Sequence, residues 1–338
     1  MPSSVVLARN AMATRFEIVL HGENENRLRA AGEEALDELE RLEAQLSLYR
    51  PESELSHINR RAAFEAVRVE PQLFRLLQRA QTISQQTNGA FDITAGPLIR
   101  CWGFMADSGA VPDQTEIDAA RAIIGFELLE LNASDLTVRF QKQGVMLDLG
   151  SIGKGYALDR AAEILREAGI ENALLHGGTS TTVVLGSGHN GEPWRIAIEA
   201  PPQTVQALIA RQEGRSDQRD GEPLAIVELQ NEALSVSAVW GKAFVADGRM
   251  LGHIIDPRTG RPALGPVSTA VTTSSATDSD ALSTALLVAP SIGTEINRGL
   301  IRSYLVCNYE NGQLRIAAKG IEIRNRFGSN REQTKILD

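Results

Sequence analysis

LDLGSIGKGYALDRAAEIL, residues 147–165, joins an apolar run to a helical pattern through a glycine-rich turn. Short strand patterns over 136–149 end in VMLDLG. After the turn, Ala157, Leu158, Ala161, Ala162, Ile164, Leu165 and Ala168 recur at helical spacing, with Gly169 as the stop. Gly153 and Gly155 flank Lys154 just before the helix is expected to begin. A loop of this kind offers backbone N–H and C=O groups, the helix N-terminus attracts phosphate, and Lys154 adds a point charge. The same spacing also serves a plain strand–turn–helix connection with a solvated lysine.

On the C-terminal side, 172–178 and 181–186 read as two strands, followed by strands at 194–199 and 224–230. The polar stretch 211–222 reads as a surface loop. Strands are expected at 233–237 and 243–246, a hairpin at Asp247-Gly248, and a strand over 268–274. A helix over 279–288 ends before Pro290, and strands follow at 303–307, 313–317 and 321–325. On the N-terminal side, 12–20 reads as a strand. Leu28, Ala31, Ala35, Leu39, Leu42 and Leu46 mark a long amphipathic helix that ends by Pro51. Further helices are expected over 71–86 and 115–124. The mixture is α+β rather than a regular βαβ alternation.

The 338 residues suit one large domain with two lobes, or two domains sharing a cleft. A net charge of −9 argues against a general nucleic-acid binder. Cys101 and Cys307 read as two unpaired thiols. With no signal-peptide pattern and no apolar run long enough to span a bilayer, a cytoplasmic location is expected and no membrane segment. No GxGxxG follows a strand and no Walker A sequence occurs, so a nucleotide would bind by another route.

Three more segments carry chemistry. In TDSDALSTALLVAP (277–290), Asp280, Ser283 and Thr284 fall at i, i+3 and i+4 on one helical face. Hard oxygen donors of this kind suit Mg²⁺ or Ca²⁺; helix capping would also explain Asp and Ser there. In GHIIDPRTGRP (252–262), His253 precedes a rigid turn and can exchange protons near neutral pH, although a lone histidine is more often structural. In NGAFDITAGPLIRCWGF (88–104), Asp92 is an acid within an apolar run and must accept hydrogen bonds from backbone or ligand.

These segments, with MATRFEI near the start, SLYRPESELSHIN (47–59) and HGG (176–178), occur in the order seen in the ApbE family, the FAD:protein FMN transferases. The chain resembles that family from Met12 to about Pro290. The resemblance implies one domain over 1–338: two interleaved α/β lobes, with mixed and antiparallel sheets flanked by helices and a ligand cleft between them. It implies FAD as substrate and Mg²⁺ held by the Gly153 carbonyl, Asp280, Ser283 and Thr284. Family FAD contacts fall on Met12, Tyr49, Ala90, Phe91, Asp92, Asp159 and His253, with Lys154 as an additional contact. The implied reaction moves FMN from FAD to a Thr or Ser hydroxyl of an acceptor protein and releases AMP, with His253 or Asp280 as catalytic base. Two other uses of the same site are a Mg²⁺-dependent FAD pyrophosphatase and a non-catalytic FAD-binding protein. The chain departs from the family pattern at Thr179, at Ser237-Ala238-Val239-Trp240, and in GSIGKG. SSAT (274–277) resembles the sequence on which the family installs FMN but reads as scaffold, since it lies within the 268–290 segment that resembles the enzyme itself.

Overall fold

The computed structural model describes residues 3–106, 108–188, 191–201, 223–246, 248–296, 299–311, 313–323 and 334–336. Its centre is a nine-stranded sheet: β1 (Ser3–Ala11), β2 (Thr14–Gly22), β3 (Asn172–Gly177), β4 (Thr181–Leu185), β5 (Ala233–Ala238), β6 (Pro266–Thr273), β7 (Ser303–Glu310), β8 (Gln313–Lys319) and β9 (Thr334–Ile336). Spatial order follows chain order, and every neighbouring pair is antiparallel except β8–β9. Four connections are long excursions that return to the adjacent strand: 22 to 172, 185 to 233, 238 to 266, and 273 to 303. The expected α+β class with largely antiparallel pairing is what forms.

The first excursion carries α1 (Glu25–Leu46), α2 (Glu54–Arg61), α3 (Pro71–Gln86), α4 (Gly96–Cys101), α5 (Gln114–Arg121) and α6 (Gly153–Glu167), and the fourth carries α7 (Ala276–Val288). In α1 the side chains at Leu28, Ala31, Ala35, Leu39, Leu42 and Leu46 are all buried, and Asn24 caps the start by accepting from the Arg27 N–H at 3.1 Å. Pro71 opens α3, where its missing N–H costs nothing, and Glu70 accepts from the next two amides at 2.7 and 2.9 Å. Helices α1, α6 and α7 cover one sheet face. A ribbon of Trp194–Ile198 paired with Ala225–Leu229 covers the other, over Val184, Leu234, Ala270, Leu305 and Cys307. Along β4, Val183 faces the helices and Val184 the ribbon, as period-two alternation requires.

Several boundaries differ from the sequence reading. The strand read over 12–20 begins at Thr14, and a second strand precedes it. Met12 and Ala13 form the two-residue turn between them, at φ +48° and +57°, which is the left-handed backbone that such a hairpin needs. Helix α6 begins at Gly153, so Lys154 lies in its first turn rather than in a loop. Helix α7 begins at Ala276, because Ser275 caps it and accepts from the Asp278 N–H. Helix α2 was not expected; Ser53, accepting from Ser56 N–H at 3.0 Å, is the signal that could have revealed it. The stretch 211–222 lies outside the described residues, and of 321–325 only a bridge from Ile323 to Ala225 is described. Both cysteines are free, Cys307 buried and Cys101 half-buried. Among the described residues no helix is long and apolar enough to cross a membrane.

Candidate active site

Residues from all four excursions, and from the Met12 turn, meet in one cleft of about 1020 Å³. Met12, Tyr49, Ala90, Phe91, Asp92, Lys154, His253, Asp280 and Thr284 line it. Gly153, Asp159 and Ser283 do not.

The crossing of α6 and α7 sets the inner wall. A Cβ at Gly155 would stand 2.1 Å from the Ala276 carbonyl oxygen and 2.8 Å from Asp280 Cβ, so only glycine lets the two helices approach this closely. The Asp280 carboxylate then accepts from the Gly155 N–H at 3.0 Å, against the positive end of α6. Burial raises the Asp280 pKa, while Lys154 acts in the opposite direction. Asp159 was expected to touch FAD. Its carboxylate accepts from Ser275 Oγ, Ala276 N, Thr277 N and Thr277 Oγ1 at 2.6–2.8 Å, which binds it to the start of α7. Those four donors belong to the SSAT stretch and its helix cap. Beyond them, Arg79 on α3 makes a two-pronged ion pair with Asp278 at 2.6 and 2.7 Å.

One turn further along α7, Thr284 opens on the cleft and Ser283 is fully buried. Ser237 on β5 lies 2.8 Å from Ser283 Oγ and 3.2 Å from Thr284 Oγ1, linking the two hydroxyls. Among the described residues no cluster of three or more His, Cys, Asp or Glu side chains could hold a metal. The expected donor set does not need one: it is a single carboxylate with hydroxyl and carbonyl oxygens. A buried carboxylate and a hydroxyl that share the cleft wall fit a hard divalent cation.

His253 lines the same cleft. Its Nδ1 lies 3.0 Å from the Lys242 carbonyl oxygen and 3.3 Å from the Lys242 amide nitrogen; the shorter contact is the one in which Nδ1 carries the proton and Nε2 is the basic nitrogen. Phe104 packs edge-on against the ring, with centroids 6.4 Å apart. Burial, helped by the charges of Lys154 and Lys242, lowers the His253 pKa to about 4, so the imidazole is neutral at pH 7.

Asp92 satisfies itself: one oxygen accepts from Thr94 N and Oγ1 at 2.8 and 2.7 Å, closing a turn that shapes the Ala90–Asp92 wall. Burial raises its pKa. Two lining acids, Asp148 and Glu199, escaped the sequence reading. Asp148, in the DLG of the decisive segment, accepts from Gly150 N at 2.7 Å; burial raises its pKa, and Lys154 and Lys242 oppose that. Its position two residues before a glycine, at the end of an apolar run, was the available signal.

Known proteins are similar to this chain in sequence and fold. The model of the ApbE family matches residues 12–298. A FAD:protein FMN transferase of Vibrio cholerae is 35% identical over 253 residues, covering 74% of this chain and 70% of that protein. One of Salmonella typhimurium is 28% identical over 306 residues, covering 89% and 82%. The crystal structure of an ApbE protein from Thermotoga maritima superimposes with a TM-score of 0.80 at 29% identity, covering 93% of this chain and 96% of that one. The flavin transferase ApbE from Vibrio cholerae gives 0.77 at 29% identity, covering 94% and 97%. With the family model spanning the cleft from the Met12 turn through the whole of α7, the chain belongs to the ApbE family.

Proposed function

We propose that this chain is a flavin transferase that moves FMN from FAD to a Ser or Thr hydroxyl of an acceptor protein and releases AMP. The observation that carries the reading is that one cleft is lined by a buried Asp280, by Lys154, whose charge acts on it, and by a neutral His253. The names of the curated relatives support FAD as donor and a protein as acceptor. Because the cleft draws on residues from Met12 to Thr284, residues 1–338 are taken as a single functional unit.

Lys154 and the positive end of α6 would hold the pyrophosphate oxygens. The acceptor hydroxyl gives its proton to His253 Nε2 as its oxygen bonds to the FMN phosphorus. The bond from that phosphorus to the bridging oxygen breaks, and AMP departs with the electron pair. The neutral imidazole suits this step better than Asp280, which is held against the Gly155 amide. Mg²⁺, held by Asp280 and Thr284 with the Gly153 carbonyl, would supply charge neutralisation to the pyrophosphate. Ser283, turned away from the cleft, serves this set through Ser237. The test is incubation with FAD, Mg²⁺ and an acceptor protein, following AMP and acceptor mass. An FMN-sized mass gain that EDTA abolishes is expected. AMP with free FMN and no mass gain would make the protein a pyrophosphatase, and no AMP would make it a binding protein.

A further inference from the structure

The ribbon over the second sheet face covers only part of it. Five consecutive residues, 195–199, line the cleft. Successive side chains on a strand point to opposite sides, so a strand that meets a cavity with all of them presents its edge. Strand Trp194–Ile198 pairs with Ala225–Leu229 and, among the described residues, with no other strand. Both ends of this edge are anchored: Trp194 Nε1 donates to the Leu185 carbonyl at 3.1 Å, and Tyr309 OH donates to the Pro201 carbonyl at 3.3 Å. Beside the edge, Leu174, Thr182 and Val236 of β3, β4 and β5 also line the cleft and are only half-buried. Leu174 and Val236 continue the apolar layer beneath the ribbon.

A strand edge that meets no second strand among the described residues, beside a half-covered apolar floor, is what an added strand completes. We infer that the acceptor polypeptide enters as an extended segment, pairing with the free edge of Trp194–Ile198 and laying alternate apolar side chains on Leu174 and Val236. This rests on the transferase reading and names how its second substrate is held. The trough opens into the cavity that Asp280 and His253 line, so a strand bound there delivers its own Ser or Thr hydroxyl to the reacting phosphorus. Period-two alternation sets the sequence it accepts: small or apolar residues two positions either side of the modified hydroxyl.

The test is amide exchange across 194–198, with a pool of Ser- and Thr-containing decapeptides, with FAD alone, and with both plus Mg²⁺, while peptide mass is followed. With the peptides present, these amides should exchange at least about tenfold more slowly. FAD alone should leave them unchanged. Leu174→Lys should abolish the protection. Protection by FAD alone, or no protection by peptides whether or not they gain mass, overturns the proposal. Peptide protection without any FMN mass gain would keep the edge and overturn the transferase reading instead.

Discussion

Asp159 and Asp280 cap each other's helices: Asp159, on α6, gathers the first donors of α7, and Asp280, on α7, accepts from the first turn of α6. Each helix N-terminus is therefore fixed by the other helix's acid. The two acids have separate consequences, because Asp280 also faces the cleft and Asp159 does not.

Asp159→Ala should act on stability. It strands two backbone amides and two hydroxyls at a half-buried helix start, and losing a cap with such partners costs about 2 kcal/mol. Urea denaturation measures it. A variant as stable as the parent would remove Asp159 from the role of clamp.

Asp280→Ala should act on turnover. The cleft loses its buried negative charge, and losing one well-placed electrostatic group costs about 10²–10³-fold in rate. Circular dichroism should show the fold intact, and the residual rate should no longer respond to Mg²⁺. A Mg²⁺-responsive variant would displace the cation from this wall.

Gly155→Ala should damage both. The added methyl meets a backbone oxygen, which cannot rotate aside, so α6 and α7 must separate. Overpacking of this kind costs about 1–3 kcal/mol. The melting temperature and FAD affinity should fall together; a fall in neither would mean that the crossing is slack.

His253 makes the pH dependence specific. Its folded value near 4 lies below the ordinary 6.5, so as pH falls the unfolded chain takes up this proton first. Its contribution to stability is present above about 6.5, declines between about 6.5 and 4, and levels off below. Asp92, Asp148 and Asp280 work in the opposite sense, since burial raises their values. The difference in melting temperature between the parent and His253→Gln, followed from pH 7 to 4, isolates the histidine. The same variant should lose about 10²–10⁴-fold in transfer at neutral pH with FAD binding retained.

The elements with a strong period were legible in the sequence. Helix α3 spans the residues expected of it, because Pro71 marks one end and Asn88-Gly89 the other. The elements missed or misplaced depend on partners distant in the chain. The early start of α7 needs Asp159, more than a hundred residues upstream, and the early start of α6 needs Asp280. The Met12 turn was hidden because neither Met nor Ala advertises a left-handed backbone. The residues that line the cleft stand in motifs that the sequence displays, whereas the partners of Asp159 do not show in its motif. A motif gives the residue, and only the packed helices give the direction in which it points.

The agreement between spatial and chain order in the central sheet has a consequence for synthesis. Each excursion closes back onto the strand beside it, so the sheet can grow from one edge as the chain emerges. The cleft, however, takes something from every excursion, and its final contributions, Asp280 and Thr284, come late in a chain of 338 residues. A ribosome-bound intermediate short of α7 has much of its scaffold and no complete inner wall. Flavin chemistry therefore waits for α7, and a chain that stops short of it is silent.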